Sequence, residues 1–134
     1  MTNSKLKQAL AALAVSVAVA ATPVSVSANQ SEAEAKAAAE ALAKRVEEGK
    51  KLAFDRGQGN CLACHMIPGG TSPGNIGPAL IAMKLRYPDR QKLFDKLWGV
   101  EQLRVPYSMM PFFGQNGILT DDEINKIVDY MYTL

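Results

Sequence analysis

All the cysteine and histidine of this chain lies within five consecutive residues. The sequence of 134 residues has two Cys and one His, and these fall together in Cys61-Leu62-Ala63-Cys64-His65. A thiol redox pair at this spacing is expected within a βαβ segment, and the sequence shows no convincing strand. A zinc site needs about four protein ligands, more than these three residues supply. A structural disulfide would leave the role of His65 unexplained.

The remaining interpretation of C-x-x-C-H is covalent attachment of one haem c. Two thiols about one helical turn apart can each form a thioether with a vinyl group of the porphyrin, and the next residue can present its imidazole to the iron. We therefore predict that Cys61 and Cys64 carry the cofactor and that His65 is an axial iron ligand. The covalent links would retain a cofactor that a small core holds poorly by packing alone.

The second axial ligand cannot be histidine, because His65 is the only one. Methionine sulfur is the obvious candidate. We predict Met110, which lies directly before Pro111 in a loop constrained by Pro and Gly, and Met109 is the alternative. Met66 adjoins His65 and cannot reach the opposite face of the haem. Core packing is the expected role of Met83 and Met131. Iron bound on both sides would carry out electron transfer rather than oxygen or peroxide chemistry.

Three further predictions concern the surroundings of the iron ligands. A ligating histidine usually donates its other ring N–H to a carbonyl, and Pro78 is our candidate for that acceptor. An ordinary turn role for Pro78 is the alternative. Trp98, Arg86 or Arg104 could contact a haem propionate, with core packing for the tryptophan and a solvated surface for each arginine as the alternatives. No catalytic residue is predicted in this chain.

The N-terminus is typical of a secretory signal peptide. Lys5 and Lys7 precede an apolar run over residues 9–21, and small residues end at Ala28, where we predict cleavage. The apolar run is shorter than the ~20 residues of a membrane-spanning helix, so an uncleaved anchor is the weaker alternative. Without Lys5 and Lys7 the chain has 13 basic and 13 acidic residues. This balance gives no indication of a nucleic-acid partner, and we expect a periplasmic protein that is not held in the membrane.

The remainder of the sequence predicts an all-α fold with long loops. Residues 31–47 form an Ala-rich helix, in which Ser31 and Glu34 fit a capping box, and residues 49–55 form a second short helix. Residues 79–87 are a third candidate, and Asp89 can cap the next helix. Thr120 and Glu123 form a capping box for the last helix. We divide the chain into a signal peptide at 1–28, a helical extension at 29–48 that either docks on a partner or frays in solvent, and a haem domain at 49–134.

These residues resemble the class I cytochrome c family. The family has a Gly and an aromatic residue before C-x-x-C-H, here Gly49 and Phe54. It has a G-P-x-L loop, here residues 77–80, and a Met-Pro ligand loop, here residues 110–111. It ends in a helix with aromatic residues, and its first and last helices cross where the Gly permits close approach. The resemblance implies a class I cytochrome c fold wrapped around one covalently bound haem.

A closer similarity is to the SoxX family of mono-haem cytochromes. It rests on Leu52 to Arg56, residues 59–65, residues 74–78 and residues 127–134. This resemblance implies a heterodimer with a SoxA-like subunit that carries one or two haems. The SoxAX complex is an L-cysteine S-thiosulfotransferase that oxidatively couples thiosulfate to a cysteine of the carrier SoxY, which acts with SoxZ.

In such a complex this chain would be a non-catalytic subunit and not an enzyme on its own. It would take electrons from the SoxA haem and pass them to a soluble cytochrome c. A free-standing periplasmic electron shuttle is the alternative function, because the same haem chemistry would serve it. A ligand-binding or peroxidatic haem protein is a third, and it would need an open iron position.

Overall fold

A computed structural model describes the backbone of residues 28–134 and the side chains of residues 31–134. Four α-helices occur in this part of the chain, α1 (Ala28–Phe54), α2 (Met83–Arg86), α3 (Arg90–Trp98) and α4 (Asp121–Met131). Two short 3₁₀ turns span Cys61–Ala63 and Glu101–Leu103, and the described residues contain no strand. The all-α prediction is therefore confirmed. The predicted signal peptide lies outside the described residues apart from Ala28, and its cleavage stays a prediction.

The N-terminal helix differs from its prediction in two ways. Residues 31–47 and 49–55 were expected to form two helices, but α1 runs without a break from Ala28 to Phe54. A glycine in a helix costs only about 1 kcal/mol, and packing at Gly49 offsets that cost. Ser31 lies inside the helix, so it is not the N-cap. Every residue from 31 to 44 is exposed, whereas Val46 is half-buried and packs against the hydrophobic core.

The C-terminal half of α1 crosses α4 in direct backbone contact. A Cβ added to Gly49 would lie 1.9 Å from the carbonyl oxygen of Lys126, so only glycine fits at the crossing. The rings of Phe54 and Tyr130 meet edge to face with their centroids 6.0 Å apart, an arrangement that aromatic pairs favour. The crossing of the first and last helices through a glycine, which the cytochrome resemblance implied, is present.

Charged side chains join the same helices at the surface of the packed core. Asp129 of α4 accepts from Arg45 of α1 at 2.8 Å and from Arg90 of α3 at 2.6 Å. Because the Asp129 side chain is only 12% exposed, these bonds are partly shielded from water. The pair of arginines neutralises the carboxylate and ties three helices together.

The last helix forms as its sequence predicts. The backbone N–H of Glu123 donates to the Thr120 hydroxyl, and the Glu123 carboxylate accepts from the Thr120 backbone N–H at 2.8 Å, so the capping box is complete. The inward face of α4 is fully buried at Ile124, Ile127 and Val128. The predicted cap of α3 is also present, since Asp89 accepts from the backbone N–H of Gln91.

The other predicted helix is shorter than expected. Residues 79–87 were predicted to be helical, and only Met83–Arg86 are. Two tertiary hydrogen bonds hold this turn against the chain end instead. Met83 N–H donates to the Leu134 carbonyl at 3.2 Å, and the Tyr132 hydroxyl donates to the Tyr87 carbonyl at 2.7 Å. Residues 67–78 and 104–117 contain no α-helix, in agreement with the long loops that the sequence predicts.

Candidate functional site

The C-x-x-C-H segment follows α1 after a sharp reversal of the chain. A Cβ on Gly59 would lie 2.6 Å from the Leu52 carbonyl oxygen, which shows how closely the loop folds back on the helix. Asn60 has a positive φ of 45°, a conformation that asparagine tolerates better than most residues. The 3₁₀ turn Cys61–Ala63 begins at the next residue. The Cys61 carbonyl then accepts from His65 N–H at 2.9 Å, so the two cysteines lie one turn apart.

The two thiols have different surroundings. Cys61 is buried and Cys64 is half-buried, and they are not joined in a disulfide. Burial raises the pKa of the Cys61 thiol to about 11, because the apolar surroundings disfavour the thiolate. Until it forms a thioether, Cys61 is therefore a protonated thiol at neutral pH rather than a metal-binding thiolate. Among residues 31–134, no three His, Cys, Asp or Glu side chains come together in a way that could hold a metal ion.

The loop over residues 74–78 wraps around this segment and orients His65. Gly77 N–H donates to the Cys64 carbonyl at 2.8 Å, and a Cβ on Gly77 would lie 2.3 Å from His65 Cε1. The Pro78 carbonyl oxygen is 2.7 Å from His65 Nδ1. A carbonyl oxygen only accepts, so Nδ1 carries the proton in this contact. In the neutral imidazole, Nε2 then has a free lone pair with which to bind a metal.

A cavity of about 780 Å³ lies beside these residues. Its size is within the range of roughly 300–1,000 Å³ that is usual for ligand and cofactor sites. The two thiols and the imidazole form part of the wall, and the loop before Phe113 forms another part. Core side chains supply much of the remainder, namely Leu80, Met83, Leu93, Leu97, Phe113 and Met131.

The two candidate sulfur ligands both line the cavity but differ in packing. Met109 is 79% exposed. Met110 is half-buried and packs against the hydrophobic core, and its backbone N–H donates to the Ser108 hydroxyl at 3.2 Å. A half-buried side chain held by its neighbours loses less entropy when it binds a metal than an exposed one does. The packing therefore favours Met110, and its ligand role stays a prediction.

The other methionines lie as follows. Met66 is half exposed and is not part of the cavity wall, whereas Met83 and Met131 are buried in the core and also line the cavity. The Met83 sulfur lies 3.6 Å from Nη1 of Arg86. Core packing, the role expected for these two residues, agrees with their burial.

The structure separates the three residues considered as propionate contacts. Arg86 lines the cavity, and its Nη1 donates to the Ala79 carbonyl at 2.8 Å. Trp98 does not line it, because the indole packs against Gly114 and donates to Asp121 at 3.0 Å. The guanidinium of Arg104 lies 4.6 Å from the Phe112 ring centroid, outside the main cavity.

Sequence reasoning missed two further basic residues in the cavity wall, Arg56 and Lys96. A single basic residue carries no sequence signal in a chain with 15 of them. Only the folded arrangement places them beside the thiols. Among residues 31–134, the charged side chains that line the cavity are all basic: Arg56, Arg86 and Lys96.

The described residues fit a covalently held haem. The cavity has a suitable volume, its wall is largely apolar, two thiols lie one turn apart, and an anchored imidazole has one nitrogen free. Gly77 supports the fit, because any larger residue would displace the imidazole. None of the described helices is long and apolar enough to cross a membrane.

Comparison with known proteins agrees with this geometry. Residues 46–134, more than half of the chain, match the family described as Cytochrome c. An uncharacterized lipoprotein of Aquifex aeolicus (strain VF5) is 36% identical over 97 residues, which is 69% of this chain and 47% of the relative. The chain thus spans about half the length of that relative.

Proposed function

The chain belongs to the cytochrome c family, and from this premise we propose that it is the mono-haem electron-transfer subunit of a SoxAX-type complex. Membership of the family means that the chain carries a covalently bound haem c and transfers electrons. When bound, the haem supplies an iron that cycles between ferric and ferrous states by one electron at a time. The observation that carries the haem electron-transfer part of this proposal is the cavity that Cys61, Cys64, His65 and Met110 all line.

We propose that His65 and Met110 are the two axial ligands. Pro78 would hold the imidazole through its carbonyl, which fixes the ring orientation and makes the free nitrogen a better donor. A thioether is a soft ligand that favours ferrous iron and raises the potential. With both positions filled by this chain, no position would remain for oxygen or peroxide. Cys61 and Cys64 would hold the porphyrin so that neither ligand is lost during electron transfer.

The SoxX assignment is supported by the sequence strings around the site. Residues 59–65 and 74–78, which carry the similarity, form the C-x-x-C-H segment and the loop that packs on His65. Under this proposal the partner is a SoxA-like subunit, and electrons come from its haem as thiosulfate is coupled to a cysteine of SoxY. This chain would then pass them to a soluble cytochrome c. It would contribute no catalytic residue to the complex.

We also propose that the protein is exported. The signal-like N-terminus supports export, as does the relative that is named a lipoprotein. Haem attached through C-x-x-C-H fits the same location. Purification from the periplasm, followed by N-terminal sequencing, tests whether the mature chain begins after Ala28.

Co-expression with a SoxA-type subunit of the same organism tests the assignment. We expect a stable heterodimer on size-exclusion chromatography, with both chains positive for covalent haem after denaturing electrophoresis. A holoprotein that stays monomeric and does not bind the SoxA-type subunit would contradict the subunit role. That result would favour the free electron shuttle, while the haem chemistry would stand.

A further inference from the structure

The chain that follows Met110 is anchored to the end of α3 by its backbone. Phe113 N–H donates to the Leu97 carbonyl at 3.1 Å, and Gly114 N–H donates to the Trp98 carbonyl at 3.1 Å. Both acceptors lie in the last turn of the helix. The position of the loop on the C-terminal side of Met110 is therefore fixed by the core of the fold.

The chain that precedes Met110 is held differently, through Ser108. Ser108 N–H closes a turn by donating to the Val105 carbonyl at 3.0 Å, and the Ser108 hydroxyl accepts from Met110 N–H at 3.2 Å. The Ser108 carbonyl accepts from Nη2 of Arg104 at 3.2 Å. Among residues 31–134, no residue from 105 to 109 forms a hydrogen bond to a segment other than 104–110. This side of the loop has no anchor of its own on a helix.

The guanidinium of Arg104 joins the two sides. It reaches Ser108, two residues before Met110, and it also lies 4.6 Å from the ring centroid of Phe112, two residues after Met110. That distance is within the ~6 Å range of a cation–π contact. Phe112 is itself seated on the end of α3, because a Cβ on Gly99 would lie 2.5 Å from Phe112 Cβ. Arg104 therefore connects the free side of the loop to the anchored side.

These contacts lie outside the wall of the main cavity. Neither Arg104 nor Phe112 lines it. Both residues instead line a second cavity, of about 10 Å³, together with Ser108 and Met110. A space of this size holds no more than about one water molecule, so the loop is packed on this side as well. Arg104 can thus influence Met110 without contact with a haem.

We propose that Arg104 is a positioning residue that holds the loop in the position where Met110 faces the cavity. This inference rests on the proposed function, in which Met110 is an axial ligand. The sulfur can leave the iron only if the loop moves, and movement of Ser108 away from Phe112 breaks at least one contact of Arg104. Residues that orient a metal ligand in this way usually affect how firmly the ligand is held.

The test measures imidazole binding to the ferric holoprotein by stopped-flow spectroscopy. Imidazole can bind only after the sulfur has left, so the rate at saturating imidazole approaches the rate of sulfur release. Arg104→Met removes the guanidinium and keeps an unbranched side chain. We expect it to raise the limiting rate about three- to tenfold, because a cation–π contact and a hydrogen bond are lost at an exposed position. Arg104→Lys keeps the charge without the planar group, so its increase should be smaller.

Two further variants separate positioning from a general loss of stability. Lys50→Met is a matched control, because the Lys50 ammonium lies 5.9 Å from the Phe54 ring centroid in α1 and makes no contact with the Met110 loop. It should leave the limiting rate unchanged. Phe112→Leu removes the ring that Arg104 contacts and should raise the rate. Combined with Arg104→Met, it should raise the rate by less than the product of the two single effects, as expected for residues that act through one contact.

Met110→Ala distinguishes failure of this inference from failure of the proposed ligand. Its rate should rise with imidazole concentration without a limiting value. If it does, and Arg104→Met keeps the wild-type limiting rate, Arg104 is an ordinary surface residue and the ligand role of Met110 stands. If Met110→Ala binds imidazole as the wild type does, both proposals are wrong. An equal increase in Lys50→Met, or fully multiplicative effects of Arg104→Met and Phe112→Leu, would overturn the role of Arg104.

Discussion

Gly77→Ala places a methyl group where the His65 imidazole now lies. The new Cβ would be 2.3 Å from Cε1 and 2.5 Å from Nδ1 of the ring, whereas ordinary contacts begin at 3.4 Å. The ring and the loop must therefore separate by about 1 Å. Neither moves freely, because Nδ1 lies 2.7 Å from the Pro78 carbonyl and Gly77 N–H is bonded to the Cys64 carbonyl at 2.8 Å.

The cost follows from these contacts. Overpacking of this kind costs about 1–3 kcal/mol, and loss of a hydrogen bond adds about 1 kcal/mol. We expect Gly77→Ala to lower the free energy of unfolding of the holoprotein by about 2–3 kcal/mol, allowing for partial relaxation. Guanidinium unfolding followed by far-UV circular dichroism measures the change. The charge-transfer band of Met-ligated ferric haem should weaken in parallel, because the displaced imidazole alters the iron geometry.

Two variants serve as controls for Gly77→Ala. Pro78→Ala keeps the carbonyl that accepts from His65, so it should cost no more than about 1 kcal/mol. Gly57→Ala places its Cβ 3.2 Å from Oδ1 of Asp55. This exposed carboxylate accepts from Gly57 N–H at 2.6 Å, and a shift of a few tenths of an ångström relieves the contact. If Gly77→Ala unfolds within about 0.5 kcal/mol of the wild type and keeps its spectrum, the proposed positioning of the ring by this loop is refuted.

Three other perturbations have defined outcomes. Gly49→Ala gains about 1 kcal/mol of helix propensity but places a Cβ 1.9 Å from the Lys126 carbonyl oxygen. We therefore expect a lower unfolding midpoint. A higher midpoint would contradict the close contact between α1 and α4 at Gly49. Hydrogen bonds from the backbone N–H and then from the hydroxyl of Thr120 lower the pKa of the Glu123 carboxyl. The ionised carboxylate therefore contributes stability above the ordinary carboxyl pKa. That stability is lost as the pH falls through the lowered pKa of Glu123. Thr120→Ala should therefore cost about 1 kcal/mol at pH 7, and its difference from the wild type in urea unfolding should shrink below about pH 4; a constant difference would refute this. Arg86→Glu should slow oxidation of the ferrous protein by anionic hexacyanoferrate(III) several-fold in stopped-flow at low salt, with the rates converging at high salt; equal rates at low salt would remove Arg86 from the charged surface.

The parts of the fold that were predictable are those with local causes. The last helix follows from the capping box at Thr120 and from its 3.6-residue apolar stripe, and α3 follows from its cap at Asp89. The α1 boundaries were not predictable, because glycine at position 49 reads as a helix break in sequence. In the structure it is the contact point with α4, and only tertiary packing gives it that role.

The candidate site also has a part that was predictable from local sequence and a part that depends on tertiary packing. The attachment motif was inferred from residue spacing, and the Pro78 carbonyl was proposed because a ligating histidine usually donates its other N–H to a carbonyl. The structure places that carbonyl beside His65 Nδ1. The cavity wall was not predictable where it depends on distant chain segments, as for Arg56 and Lys96. The positive φ of 64° at Tyr107 was not predictable either, because proline followed by tyrosine does not indicate it.

The most direct test of the account is carbon monoxide binding to the ferrous holoprotein in three forms: wild type, Met110→Ala and Met109→Ala. If His65 and Met110 fill both axial positions, the wild type and Met109→Ala should not bind the gas rapidly, and Met110→Ala should. Rapid binding by the wild type, or by Met109→Ala but not Met110→Ala, would contradict the assignment.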